Sequence, residues 1–174
     1  MLAPFMTYYT KMISNVDGSQ VRGYASTARN KKIYYGRVDA LRGGESQYVV
    51  TFSIWNNEPA ESAGTPLTTY QNAINCRLQI AIPDECRDLS PFLYARCTTF
   101  DAQGEFRPLG MGNRVYSDIR GLATDEYGVI LGTGGDHADI ETKIRLAPGC
   151  TCRKERYSFE LDFLYNFDES LALI

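Results

Sequence analysis

The chain has 174 residues, 44% of them hydrophobic, and a formal net charge of −3. That length fits one domain with a core that needs no disulfide or metal, and the apolar content excludes wholesale disorder. The acidic balance, with a pI near 5.2, argues against a general nucleic-acid binder, which carries a basic face. No apolar run approaches the roughly 20 residues of a membrane-spanning helix. The first residues lack the charged start of a secretory signal. Five cysteines, an odd number without a pairing pattern, point to a reducing compartment with free, mostly buried thiols. Cys76 and Cys97 are expected in or near the core.

Residues 1–13 read as extended: either an ordinary first strand or an arm that docks on another copy. The segment carries Leu2, Phe5, Met6, Tyr8 and Tyr9 and gains little by staying in water. Asn15 to Gly18 is a turn, residues 21–27 a short strand, and residues 28–32 a basic loop. Residues 32–41 read as a strand with Ile33 and Tyr35 on one face, closed by a hairpin at 42–45. Residues 47–55 are the clearest strand: Tyr48, Val50, Phe52 and Ile54 alternate with Gln47, Val49, Thr51 and Ser53, and the residue types suit a pleated surface.

Residues 56–66 form a long polar connection, because Pro59, Gly64 and Pro66 interrupt regular structure. Residues 75–82 give a second strand with Cys76, Leu78, Ile80 and Ile82 inward. After a loop with one possible helical turn at 83–91, residues 93–100 give a third. Residues 113–126 fit either strand or short helix, and 127–131 fit a short apolar strand. Residues 132–137 are a glycine-rich loop. Residues 139–147 alternate, with Ile140, Thr142, Ile144 and Leu146 on one side. Residues 156–167 alternate longest, with Tyr157, Phe159, Leu161, Phe163, Tyr165 and Phe167 on one face. No helical period appears. The pattern predicts an all-β fold, a β-sandwich or jelly-roll-like body of mostly antiparallel strands, with 1–13 as arm or first strand and 14–174 as a single domain.

Candidate chemistry is sparse. Asp136, His137 and Asp139 could together form a metal or acid–base site. Any Ser-His-Asp or Cys-His relay would have to use His137, the one histidine, and nothing marks its partner. A mobile hairpin loop explains the same residues. Cys150 and Cys152 could offer thiolates to zinc, but their spacing is shorter than a zinc-ribbon pair and no second pair follows. The acidic pairs Asp84/Glu85, Asp125/Glu126 and Asp168/Glu169 read as solvated turns. The basic clusters Arg29, Lys31, Lys32 and Arg153, Lys154, Arg156 are too small for DNA.

An all-β chain with an apolar N-terminal stretch, Met1 to Thr10, a long Gly/Pro loop, Asn56 to Pro66, and an apolar tail, Leu171 to Ile174, resembles virion structural proteins of tailed bacteriophages. It is similar in architecture to capsid cement (decoration) proteins and to small tail or baseplate proteins. The resemblance implies a non-enzymatic assembly protein with no catalytic residue, no metal ligand and no cofactor. Its partners would be other copies of itself, as a homo-oligomer, and other virion proteins, with no direct nucleic-acid or membrane contact. It would be made in the host cytoplasm and end in the virion. The expected interface residues are Leu2, Phe5, Met6, Tyr8, Tyr9, Trp55, Leu171 and Leu173. Two other functions fit the composition. A carbohydrate- or ligand-binding β-sandwich would place exposed Trp55 or loop tyrosines in a groove. A β-fold enzyme or metal protein would bring His137 and carboxylates into one pocket.

Overall fold

The computed structural model describes residues 1–26, 33–59, 70–89, 91–99, 103–110, 114–150 and 156–171, with the side chains of 21–26 left aside. Among these the chain is all-β. Strands β1 (Met6–Ser14), β2 (Gln20–Ser26), β3 (Gly44–Glu45), β4 (Tyr48–Asn56), β5 (Ile74–Ala81), β6 (Leu93–Cys97), β7 (Arg107–Leu109), β8 (Val115–Tyr116), β9 (Asp136–Leu146) and β10 (Glu160–Asn166) are joined by loops and two short 3-10 turns. They form two sheets. The larger runs β2-β1-β4-β9-β6-β7, with β3 beside β9, and the smaller runs β10-β5-β8. Every strand pair is antiparallel.

The core lies between the sheets, as the period of two requires. From the large sheet it takes Val50 and Ile54 of β4, Ala138, Ile140 and Thr142 of β9, and Leu93, Ala95 and Cys97 of β6, all buried. From the small sheet Cys76, Leu78 and Ile80 of β5 are buried, while Leu161, Phe163 and Tyr165 of β10 are partly buried. Aromatic pairs tie the layers: Tyr8 meets Phe163 edge-on at 6.0 Å and Phe92 meets Phe159 at 5.1 Å. Tyr35 sends its hydroxyl to Thr142 Oγ1 at 2.7 Å, and burial pushes that hydroxyl well above the ordinary phenol range. Cys76, Cys86 and Cys97 are buried free thiols and Cys150 a partly exposed one. Burial pushes the Cys76 thiol up to about 12. Cys152 lies outside the described residues.

Residues 6–14 are an interior strand, paired with β4 from Met6–Asn56 to Ser14–Tyr48 and with β2 on its other side. Only residues 1–5 stay outside the large sheet's ladders. Residues 33–41 do not form the expected strand. Gly36 sits at φ 78°, and a Cβ there would come within 2.6 Å of Gln47 Cβ, so the pleat breaks where only glycine fits. The segment instead lends the Tyr35 and Arg37 carbonyls to the amides of Tyr48 and Gln47. Gly44–Glu45 pairs with Leu146 and Arg145 rather than closing a hairpin with 33–41. Residues 127–131 contribute only isolated bridges, Ala73–Ile130 and Arg120–Val129. β9 starts three residues earlier than expected, at Asp136, and β10 starts at Glu160 rather than 156. β6 stops at Cys97, and Phe100 lies outside the described residues. Phe52 is only partly buried, because the smaller sheet does not cover the whole inner face.

Candidate functional site

Three surfaces carry the polar and aromatic chemistry. The first is the outer face of the large sheet. Antiparallel register sets Trp55 opposite His137 and Ser53 opposite Asp139. The indole and imidazole stack, with centroids 4.1 Å apart and planes at 20°. His137 Nε2 lies 3.6 Å from Asp139 Oδ2, and Ser53 Oγ donates to Asp139 Oδ1 at 2.6 Å. The serine therefore gives its proton to the carboxylate and not to the histidine. A nucleophilic relay needs the reverse order, with histidine between the two, so this trio is not built as one. Beside it, Thr7 Oγ1 and Tyr9 Oη both donate to Glu58 Oε2, at 2.9 and 2.6 Å.

Asp136 does not join that cluster. It faces the core and is 1% exposed. Its Oδ1 accepts the amides of Ala123 and His137, and its Oδ2 accepts the amide of Leu131. Sequence reasoning grouped Asp136, His137 and Asp139. The strand alternation separates them, placing Asp136 inward and the other two outward. No group of metal-ligating side chains occurs among the described residues.

Further down the same face, Glu45 gathers Lys143 Nζ at 2.7 Å, Arg145 Nη2 at 2.9 Å and Asn15 Nδ2 at 3.1 Å. Arg96 pairs with Glu141 at 2.7 Å, and both Arg96 and Lys143 lie over the Phe106 ring. Partial burial works against the Glu45 carboxylate. The hydrogen bonds from Lys143, Asn15 and Arg145, with the Lys143 charge, outweigh it and hold the group at about 2. A depressed folded-state value gives stability that is present above the ordinary glutamate value and lost as pH falls through the folded one. The Glu45→Gln variant is expected to be less stable than the parent at neutral pH. The difference should shrink as pH falls through about 2. Denaturant melts at several pH values check this, and a difference that grows on acidification would contradict it.

The second surface lies where the two ends of the described chain meet. Leu2 bridges to Tyr70, and the Gln71 amide donates to the Leu2 carbonyl. Phe5 packs on Tyr70 with centroids 5.9 Å apart. From the other end, the Asp168 amide donates to Gln71 Oε1 and Gln71 Nε2 donates to the Asp168 carbonyl. The Met1 amino group reaches the Leu171 carbonyl at 3.5 Å. Met1, Tyr70, Ile74, Leu131, Thr133 and Phe167 line a recess of about 430 Å³. Of the residues expected at an interface, Leu2, Phe5 and Leu171 lie near this recess. Met6 and Tyr8 instead pack against the core, Tyr9 and Trp55 belong to the outer face, and Leu173 lies outside the described residues. Tyr70 and Ile74 were missed by sequence reasoning. Asn75 adopts φ 54°, which breaks the alternation of β5 and leaves Ile74 outside the buried row that begins at Cys76.

The third surface is a polar recess of about 270 Å³ beside β7 and β8, lined by Arg96, Glu105, Arg107, Tyr116, Asp118 and Tyr127 among others. Arg107 and Asp118 form an ion pair across it. The basic clusters at 29–32 and 153–154 and the loop from 60 onward lie outside the described residues. Comparison with protein-family models finds no match to this chain, and comparisons with curated proteins and with solved structures find none either.

Proposed function

We propose that the protein is a non-catalytic structural component that works through subunit contacts made around its joined chain ends. In its specific form it is a component of a virus particle, of the capsid-cement or small tail type its architecture resembles. The observation that carries this is the clustering of exposed apolar side chains. Met1 is 51% exposed, Ile74 44% and Leu171 56%. Met1 and Ile74 line one recess with Tyr70, Leu131 and Phe167, and Met1 bonds to Leu171. Single exposed apolar residues are ordinary; a contiguous group around a recess is what interfaces use. The Gln71–Asp168 bonds fix both ends on one platform, so the contact surface is held in shape before any partner arrives.

The variant Ile74→Glu with Leu171→Glu places charge on that surface without touching the core. Light scattering after size exclusion is expected to show association for the parent and its loss for the variant, with the circular dichroism spectrum unchanged. A variant that associates as the parent does would overturn the role of this surface. For the specific form, the chain should be recovered at fixed stoichiometry from purified particles of its virus.

A further inference from the structure

We propose that the polar recess beside β7 and β8 binds a single neutral saccharide unit, gripping a pair of adjacent hydroxyls. The site is independent of the assembly surface and shares no lining residue with the recess at the chain ends. Its charges show no positive excess: Arg96 and Arg107 stand against Glu105, Asp118 and the Glu141 that holds Arg96. Such a set gives an anion no net attraction, and it offers a polyol both donors and acceptors. Arg107 and Asp118 face each other, 65% and 43% exposed at the side chain. With Arg107 Nη1 and Asp118 Oδ2 on each other, the remaining guanidinium N–H groups and Asp118 Oδ1 face two neighbouring hydroxyls, one as donors and one as acceptor.

The rear of the recess is fixed by Tyr116, which is 7% exposed. Its hydroxyl oxygen already accepts the Cys97 amide at 2.8 Å, so its own O–H is the group left to donate to a ligand oxygen. Arg96 closes one side, held in place by Glu141 and by the Gly104 carbonyl at 3.1 Å. Tyr127 supplies the remaining element. It sits in a turn between β8 and β9, 59% exposed, and lines the same recess. The negative face of an aromatic ring suits the C–H face of a sugar ring. A volume of about 270 Å³ takes one ring and leaves the rest of a glycan in solvent. An apolar ligand is disfavoured, because it would strand both charged pairs without water.

Saturation-transfer NMR on the full chain tests this, using the methyl glycosides of glucose, mannose and galactose at millimolar concentration. At least one is expected to receive saturation at its ring C–H protons. That signal should be lost in Tyr127→Ala and in Asp118→Asn, both at exposed positions, with the circular dichroism spectrum retained. It should persist in Ile74→Glu, which separates this site from the assembly surface. No transfer to any of the three glycosides would overturn the proposal, as would transfer that survives in both recess variants. Displacement of the glycoside by inorganic phosphate would overturn the neutral-ligand assignment and mark an anion site instead.

Discussion

Deleting residues 1–10 is expected to abolish the fold. The deletion takes the rungs Met6–Asn56 to Thr10–Phe52 from the β4 side and Tyr8–Ser26 to Thr10–Tyr24 from the β2 side. It strips β4 of its neighbour from Phe52 to Asn56 and leaves the edge strand β2 with only Lys11 to Ile13 to pair with. Thr7 and Thr10 are buried, and Met6 and Tyr8 pack on the core. Each large apolar side chain contributes about 1.5–3 kcal/mol, and several ladder hydrogen bonds of about 1 kcal/mol each go with them. A domain of this kind is stable by only about 5–15 kcal/mol. The truncated chain should lose its cooperative thermal melt and its β-type circular dichroism. Deleting residues 1–5 alone is a different experiment. It leaves β1 whole and removes the Leu2 and Phe5 contacts with Tyr70, the Met1–Leu171 bond and the bonds that Leu2 and Phe5 make with Gln71, Asn56 and Asn57, so the melt should survive while association weakens. A folded, cooperative 1–10 deletion would show that β1 is dispensable and would contradict the topology.

Asp136→Ala is expected to cost about 3 kcal/mol or more, from the desolvation of amides left without acceptors. The carboxyl holds three backbone amides, of Ala123, Leu131 and His137, and so pins the loop before β9 to the strand itself. Gly121 packs so closely on this carboxyl that a Cβ would collide with Asp136 Oδ2, which shows how little room the site has for rearrangement. Asp139→Ala is the control. Asp139 is partly exposed, its partners Ser53 and His137 can turn to water, and the cost should stay within about 1 kcal/mol. Urea melts of both variants measure the contrast, and equal costs would mean that Asp136 is not the residue that organises the loop.

Much of the fold was legible because β4, β5, β9 and β10 keep their alternation over most of their length. A period of two places a side chain without knowledge of its neighbours. Where the sequence misled, a local backbone feature intervened. Gly36 broke a run that Ile33 and Tyr35 made look like a strand. Asn75 turned Ile74 out of the row that Cys76 begins. The N-terminal segment could not be assigned from hydrophobicity, because an interior strand and a docking arm have the same composition; its pairing with β4 from Met6 to Ser14 is a long-range feature. The surfaces were less legible than the core. Residues 70–72, 131 and 167–168 meet at the chain ends, and 96, 105–107, 116–118 and 127 meet in the polar recess. Both gatherings depend on long-range pairing that no local pattern encodes. His137, the most suggestive residue in the sequence, stacks on Trp55 on the open face of a sheet. Its nearest acidic neighbour in sequence, Asp136, points into the core.

We propose association through the apolar surface where residues 1–5 meet residues 70–74 and 167–171. Sedimentation velocity of the full chain over a wide concentration range tests it most directly. The account predicts a species heavier than the 19.5 kDa chain that dissociates on dilution and is lost in the Ile74→Glu, Leu171→Glu variant. A single boundary at the mass of one chain at every concentration, unchanged in the variant, would contradict it.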